Sequence, residues 1–153
     1  MSKEQFIRIN KDGNKYYYSD RAMTILHRED GPAFEYTDGG KEWYINGEFH
    51  REDGPAVEYA DGDKAWYING EHHREDGPAV EYADGDKAWY INGEFHREDG
   101  PAVEYADGYK AWYLNGERLT EKEFNARMNP AELTLDEIAE KFGVSVDKLK
   151  IKK

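Results

Sequence analysis

The chain of 153 residues contains no cysteine. Disulfide staples and thiolate chemistry are therefore excluded, and a reducing, intracellular setting is the economical expectation. No apolar run approaches the roughly 20 residues of a membrane-spanning helix. The opening Met-Ser-Lys-Glu-Gln-Phe-Ile-Arg-Ile-Asn also lacks an apolar signal core. A soluble, cytoplasmic protein without membrane contact is expected. Glycine-rich phosphate loops, nucleophile elbows and zinc-type ligand spacings are missing too. No cofactor, no metal and no enzymatic activity is therefore anticipated.

What the chain has is repetition. The heptad His-Arg-Glu-Asp-Gly-Pro-Ala begins at His27, His50, His73 and His96, always 23 residues apart. A fixed period of this size marks a repeat architecture in which each unit packs mainly on its neighbours. Hydrophobic residues are only 38% of the chain, but aromatics are 14%, and Trp43, Trp66, Trp89 and Trp112 share one repeat position. Apolar surface concentrated in a few large rings suits a thin, elongated fold. The expected organisation is a worn N-terminal capping repeat (1–26), four β repeats (27–118) and a helical C-terminal cap (119–153).

The net charge of −12 is unevenly placed. The repeats hold −14, residues 1–26 hold +2, and residues 119–153 are neutral. A long acidic surface repels nucleic acid and anionic membranes and attracts basic protein surfaces.

Within the unit His50 to His72, alternating stretches are punctuated by Asp61-Gly62 and Asn69-Gly70. Both dipeptides are strong signals for two-residue hairpin turns. Such turns set Tyr59 opposite Lys64, Val57 opposite Trp66, Tyr67 opposite His72 and Trp66 opposite His73. Val57, Tyr59, Trp66, Ile68 and His73 then share one face, the expected core side. Ala56, Glu58, Ala65, Tyr67 and His72 share the other. Identical residues should stack in columns from unit to unit, in an antiparallel meander.

The ends depart from this pattern. Lys11 to Asp20 resembles a worn repeat, with Tyr17 in the tryptophan position. Thr120-Glu121-Lys122-Glu123 is a capping box that opens a helix to about Met128. A second box at Thr134 opens a helix through Phe142, with Gly143 as its terminator.

The run Trp66-Tyr67-Ile68-Asn69-Gly70-Glu71, followed by His73 and Gly77, resembles the MORN-type repeat. It is similar above all to the variant of bacterial antitoxin-annotated and tailed-phage proteins, over about residues 11–119. The resemblance implies a β-hairpin scaffold for protein contacts, of phage or prophage origin, with a short helical C-terminal segment.

Several candidate sites follow. Column members His27, His50, His73 and His96 lie a whole unit apart, roughly 10–15 Å if each unit stacks three strands. They cannot share one ion at metal–nitrogen distances of about 2 Å, so a structural histidine packed on Trp or bonding a turn carbonyl is expected. The pairs Glu52-Asp53, Glu75-Asp76 and Glu98-Asp99 read as turn residues, because nothing sets one copy apart as an acid or a base. The favoured partner-binding columns are Glu58/Glu81/Glu104 and Tyr67/Tyr90/Tyr113, facing a basic or flexible host protein such as a toxin or defence factor. An alternative places nucleic acid on a helix-turn-helix-like tail through Lys148, Lys150, Lys152 and Lys153. A further one holds small molecules between aromatic columns. Near-identical units also have near-identical edges, so dimerisation through an end is open.

Overall fold

The computed structural model describes residues 5–129, 135–143 and 145. An N-terminal hairpin, β1 (Phe6–Ile9) and β2 (Lys15–Tyr18), leads into the repeats. The first unit supplies β3 (Phe34–Glu35), β4 (Lys41–Glu42), β5 (Tyr44–Ile45) and β6 (Glu48–Phe49). The second supplies β7 (Val57–Glu58), β8 (Lys64–Ala65), β9 (Tyr67–Ile68) and β10 (Glu71–His72). The third supplies β11 (Val80–Glu81), β12 (Lys87–Ala88), β13 (Tyr90–Ile91) and β14 (Glu94–Phe95). The last has β15 (Val103–Glu104), β16 (Lys110–Leu114) and β17 (Glu117–Leu119), then helices α1 (Glu121–Met128) and α2 (Leu135–Phe142). The protein is mainly β, an array of repeated antiparallel hairpins with a small helical C-terminal part.

The first two strands of each unit join one 11-stranded sheet, in the order β1-β2-β3-β4-β7-β8-β11-β12-β15-β16-β17. The last two strands of the first three units form separate two-stranded hairpins beside it. The unit therefore advances by two strands of the main sheet, about 9.6 Å, instead of three.

The long strand expected over residues 63–68 is broken at Trp66. Its backbone N–H does not continue the unit's own pairing but donates to the carbonyl of Ala79 in the next unit, at 2.8 Å. Trp43 and Trp89 do the same toward Ala56 and Ala102. No further repeat follows Trp112, and there Lys110 to Leu114 stays one continuous strand. The break is thus imposed by the neighbouring unit.

Of the two expected turns, one has the expected size. Asn69 (φ 50°) and Gly70 (φ 79°) both adopt positive φ, and Tyr67 pairs with His72, as a two-residue turn requires. The Asp-Gly loop is larger. Val57 pairs with Ala65 and Glu58 with Lys64, one residue out of the expected register. The Tyr59 N–H donates to the Asp63 carbonyl and the Gly62 N–H to the Tyr59 carbonyl. Only Gly62, at φ 106°, is left-handed. This is a type I turn closed by a glycine bulge, a three-residue loop.

The bend at Trp66 and this loop also dissolve the expected two-face division. Ala56 is fully buried and Val57 nearly so, from opposite sets. Tyr59, placed in the core by alternation, is 44% exposed at the loop base, like Tyr82 and Tyr105. Trp66, Ile68 and His73 are half-buried.

At the far end the capping box is formed. The Thr120 hydroxyl accepts from the Glu123 N–H, and the Glu123 carboxylate accepts from the Thr120 N–H. Helix α1 packs on β16 and β17, burying Phe124 and Leu119. Arg127 forks onto Glu117 at 2.7 and 2.8 Å. Gly143 takes positive φ after α2. Thr134, Lys148, Lys150, Lys152 and Lys153 lie outside the described residues. No helix among the described residues is long and apolar enough to cross a membrane.

Candidate functional site

The repeated heptad explains itself residue by residue. His50 accepts, through Nδ1, the backbone N–H of Asn69 at 3.1 Å, 19 residues ahead. His27, His73 and His96 do the same to Asn46, Asn92 and Asn115. Each histidine thereby latches the Asn-Gly turn that follows it. The expected bond to a turn carbonyl is replaced by one from a turn N–H, because an Asn at positive φ aims its amide at the ring. In the second and third units the same Nδ1 also stands 3.0 and 2.9 Å from the side-chain Oδ1 of Asn69 and Asn92.

Arginine is the hub. The Arg51 Nε donates to Asp53 at 2.8 Å. Its Nη1 donates to the Pro55 carbonyl at 3.1 Å and to Glu58 at 2.9 Å. The guanidinium also lies over the Trp43 ring, 4.0 Å from its centroid. Arg74 and Arg97 repeat this set on Trp66 and Trp89, and Arg28 does so on Tyr17, which holds the tryptophan position in the worn repeat. These guanidinium bonds hold Asp30, Asp53, Asp76 and Asp99 below the usual carboxylate range. Glycine leaves room for this clamp: a Cβ at Gly54 would stand 3.0 Å from the Arg51 guanidinium carbon and press on it. Ala33, Ala56, Ala79 and Ala102 have no exposed surface at all, so a larger side chain has no room there.

In three copies the glutamate of the heptad is not drawn into this clamp. The carboxylates of Glu52, Glu75 and Glu98 are 85%, 86% and 71% exposed, and their nearest partner is the preceding histidine Nε2 at 3.7–3.9 Å. They stand on the rims of three equivalent clefts, each between two successive heptad loops. The clefts measure about 730, 680 and 780 Å³ along the chain. Trp66, Ile68 and His73 floor the middle one; Arg51 to Pro55 form one wall and Arg74 to Asp76 the other. Two arginines against four carboxylates leave that cleft at −2. Since both arginines are already ligated, Glu52 and Glu75 carry the unbalanced charge outward.

The columns favoured from sequence are placed differently. Glu58, Glu81 and Glu104 each accept an arginine Nη1, at 2.9, 3.0 and 3.1 Å. They are about one-third exposed. Tyr67, Tyr90 and Tyr113 belong to a continuous ring stack, Tyr44–Phe49–Tyr67–His72–Tyr90–Phe95–Tyr113, with centroids 4.0–4.9 Å apart. Burial pushes the Tyr67 and Tyr90 hydroxyls above their ordinary range. His72 and His73 diverge as neighbours on a strand should, one into the stack and one onto a cleft floor.

Glu42 is an exception to the repeat. It occupies the position of Ala65, Ala88 and Ala111 and is 5% exposed. Its carboxylate accepts the hydroxyls of Tyr36, Tyr44 and Tyr59 at 2.8, 3.0 and 3.2 Å. Sequence reasoning missed it, although a charge at an alanine position was visible. Among the described residues no group of three His, Asp or Glu side chains gathers as a metal site would require. No family model matches the chain, and no curated protein matches it.

Proposed function

We propose that this chain is a non-enzymatic interaction scaffold of the MORN type, whose acidic clefts receive a basic, extended segment of a partner protein. The observation that carries this reading is the division of labour in the heptad. Six residue types are engaged in latching, clamping or packing, while Glu52, Glu75 and Glu98 stand 71–86% exposed on the cleft rims with no arginine bound to them. A cationic side chain laid into a cleft places its apolar stem on Trp and Ile and its charge between rim carboxylates. Such field complementarity favours fast encounter and selects against acidic partners. Glu58, Glu81 and Glu104 add to the field behind the clefts. The setting that suits an array of this kind is the cytoplasm of a phage-bearing host, with a basic toxin or defence protein neutralised by occupancy of the clefts.

Fluorescence anisotropy with a labelled, lysine-rich disordered peptide tests this directly. Binding at low salt is expected, weakening about tenfold in the Glu52/Glu75/Glu98→Gln variant, and an acidic peptide should not bind. Equal affinity for the variant and the parent chain would refute the assignment of the clefts.

A further inference from the structure

The cleft ladder has a pitch, and the pitch selects the conformation of what lies along it. The clefts recur once per unit, and each unit advances two strands of the main sheet, about 9.6 Å at the general strand spacing. A partner that places one cation in each cleft must present same-face side chains at that interval. In an extended β-strand, same-face residues recur at about 6.7 Å or 13 Å, and neither fits. An α-helix offers seven residues at about 10.5 Å, a misfit that grows by nearly 1 Å per cleft. A polyproline II segment has three residues per turn and rises about 3.1 Å per residue, so every third side chain returns to one face after about 9.3 Å. The remaining misfit is a few tenths of an ångström per cleft, well within the reach of a lysine stem.

We infer that the three clefts floored by Trp43, Trp66 and Trp89 together form a reader for a polyproline II segment with Lys or Arg at every third position. This rests on the scaffold reading above and names its ligand. Each cleft would hold one cation: the stem on the tryptophan and its neighbouring isoleucine, Ile45, Ile68 or Ile91, and the charge at the rim glutamates. The segment's backbone stays solvated, because polyproline II makes no internal hydrogen bonds. Such a segment is already extended before binding and loses little freedom on docking. Three linked contacts of modest strength then act as one, and breaking the spacing forfeits the linkage without removing any charge.

The test is a set of four peptides carrying three lysines each, titrated into the full-length protein. One has lysine at every third position among prolines, and one has the same composition with adjacent lysines. The third is an alternating strand-like peptide, and the fourth a helical peptide with lysine at every seventh position. The every-third peptide is expected to bind at least fivefold more tightly than its scrambled isomer. That preference should collapse in Glu52/Glu75/Glu98→Gln. Equal binding of all four would overturn the spacing rule while leaving an acidic, cation-binding scaffold standing, and a preference for the helical peptide would assign the ladder to a helix. If none binds, the scaffold reading itself fails.

Discussion

Replacing Arg74 with alanine should lower the thermal midpoint of the array by about 6–12 °C. The guanidinium covers one face of Trp66 at 4.0 Å and bonds Glu81 at 3.0 Å and the Pro78 carbonyl at 3.2 Å. Arg74 keeps only about a fifth of its side chain exposed, so water replaces these contacts incompletely. A stacked cation contributes about 1 kcal/mol and a charge-assisted hydrogen bond about 2 kcal/mol, together about 3 kcal/mol. For a chain of this size each kcal/mol moves the midpoint by about 2–4 °C. Arg74→Lys should recover little of it, because an ammonium cannot lie flat on an indole and reach Asp76, Pro78 and Glu81 together. A scanning-calorimetry midpoint within 2 °C of the parent would contradict the hub role of the arginine. Both substitutions leave Glu75 and the Trp66 ring in place, so the effect is on the frame.

Replacing His72 with phenylalanine should act in the opposite direction, raising stability by about 1–2 kcal/mol at neutral pH and more in mild acid. His72 stacks between Tyr67 and Tyr90 at 4.0 and 4.9 Å, where the equivalent rings of the flanking units are Phe49 and Phe95. Its Nδ1 is buried with no hydrogen-bond partner, and an apolar ring of similar shape removes that cost. Burial pushes the imidazole below its ordinary value of 6.5, against an opposing hydrogen bond to the Trp66 backbone. Below pH 6.5 the unfolded chain therefore binds a proton that the folded chain resists. Stability falls as pH drops from about 6.5 toward the folded value and is insensitive to this group above it. The gain from His72→Phe should accordingly be constant above about pH 7 and grow from pH 6.5 to pH 5. Denaturant midpoints across that range check it, and a difference that stays flat would contradict the burial argument.

How much of this was legible in the residues depends on the range of the interactions. The Asn69-Gly70 turn was readable because both residues are suited to positive φ. Asp61-Gly62 was misjudged in size because the same dipeptide also closes a type I turn with a bulge, where only the glycine is left-handed. The strand break at Trp66 was not readable within one unit, since it is made by the Ala79 carbonyl of the next. The arginine hub joins Trp66, Asp76, Pro78 and Glu81 across a unit boundary and has no periodic signature. It is also why Glu81, expected as an outward acid, is committed, while Glu75, expected as a turn residue, is not. The signal that could have found the clefts was the glutamate at the third heptad position, which recurs beside an aspartate that by itself satisfies the turn.

Trp112 provides a built-in control. It shares the repeat position of Trp43, Trp66 and Trp89, but helix α1 follows it in place of a fifth heptad loop. The most direct measurement is therefore the indole N–H spectrum of the four tryptophans during titration with the peptide bearing lysine at every third position among prolines. Cleft binding predicts progressive shifts of Trp43, Trp66 and Trp89 with one common midpoint, while Trp112 stays in place. Equal movement of all four indoles, or movement of Trp112 alone, would contradict it.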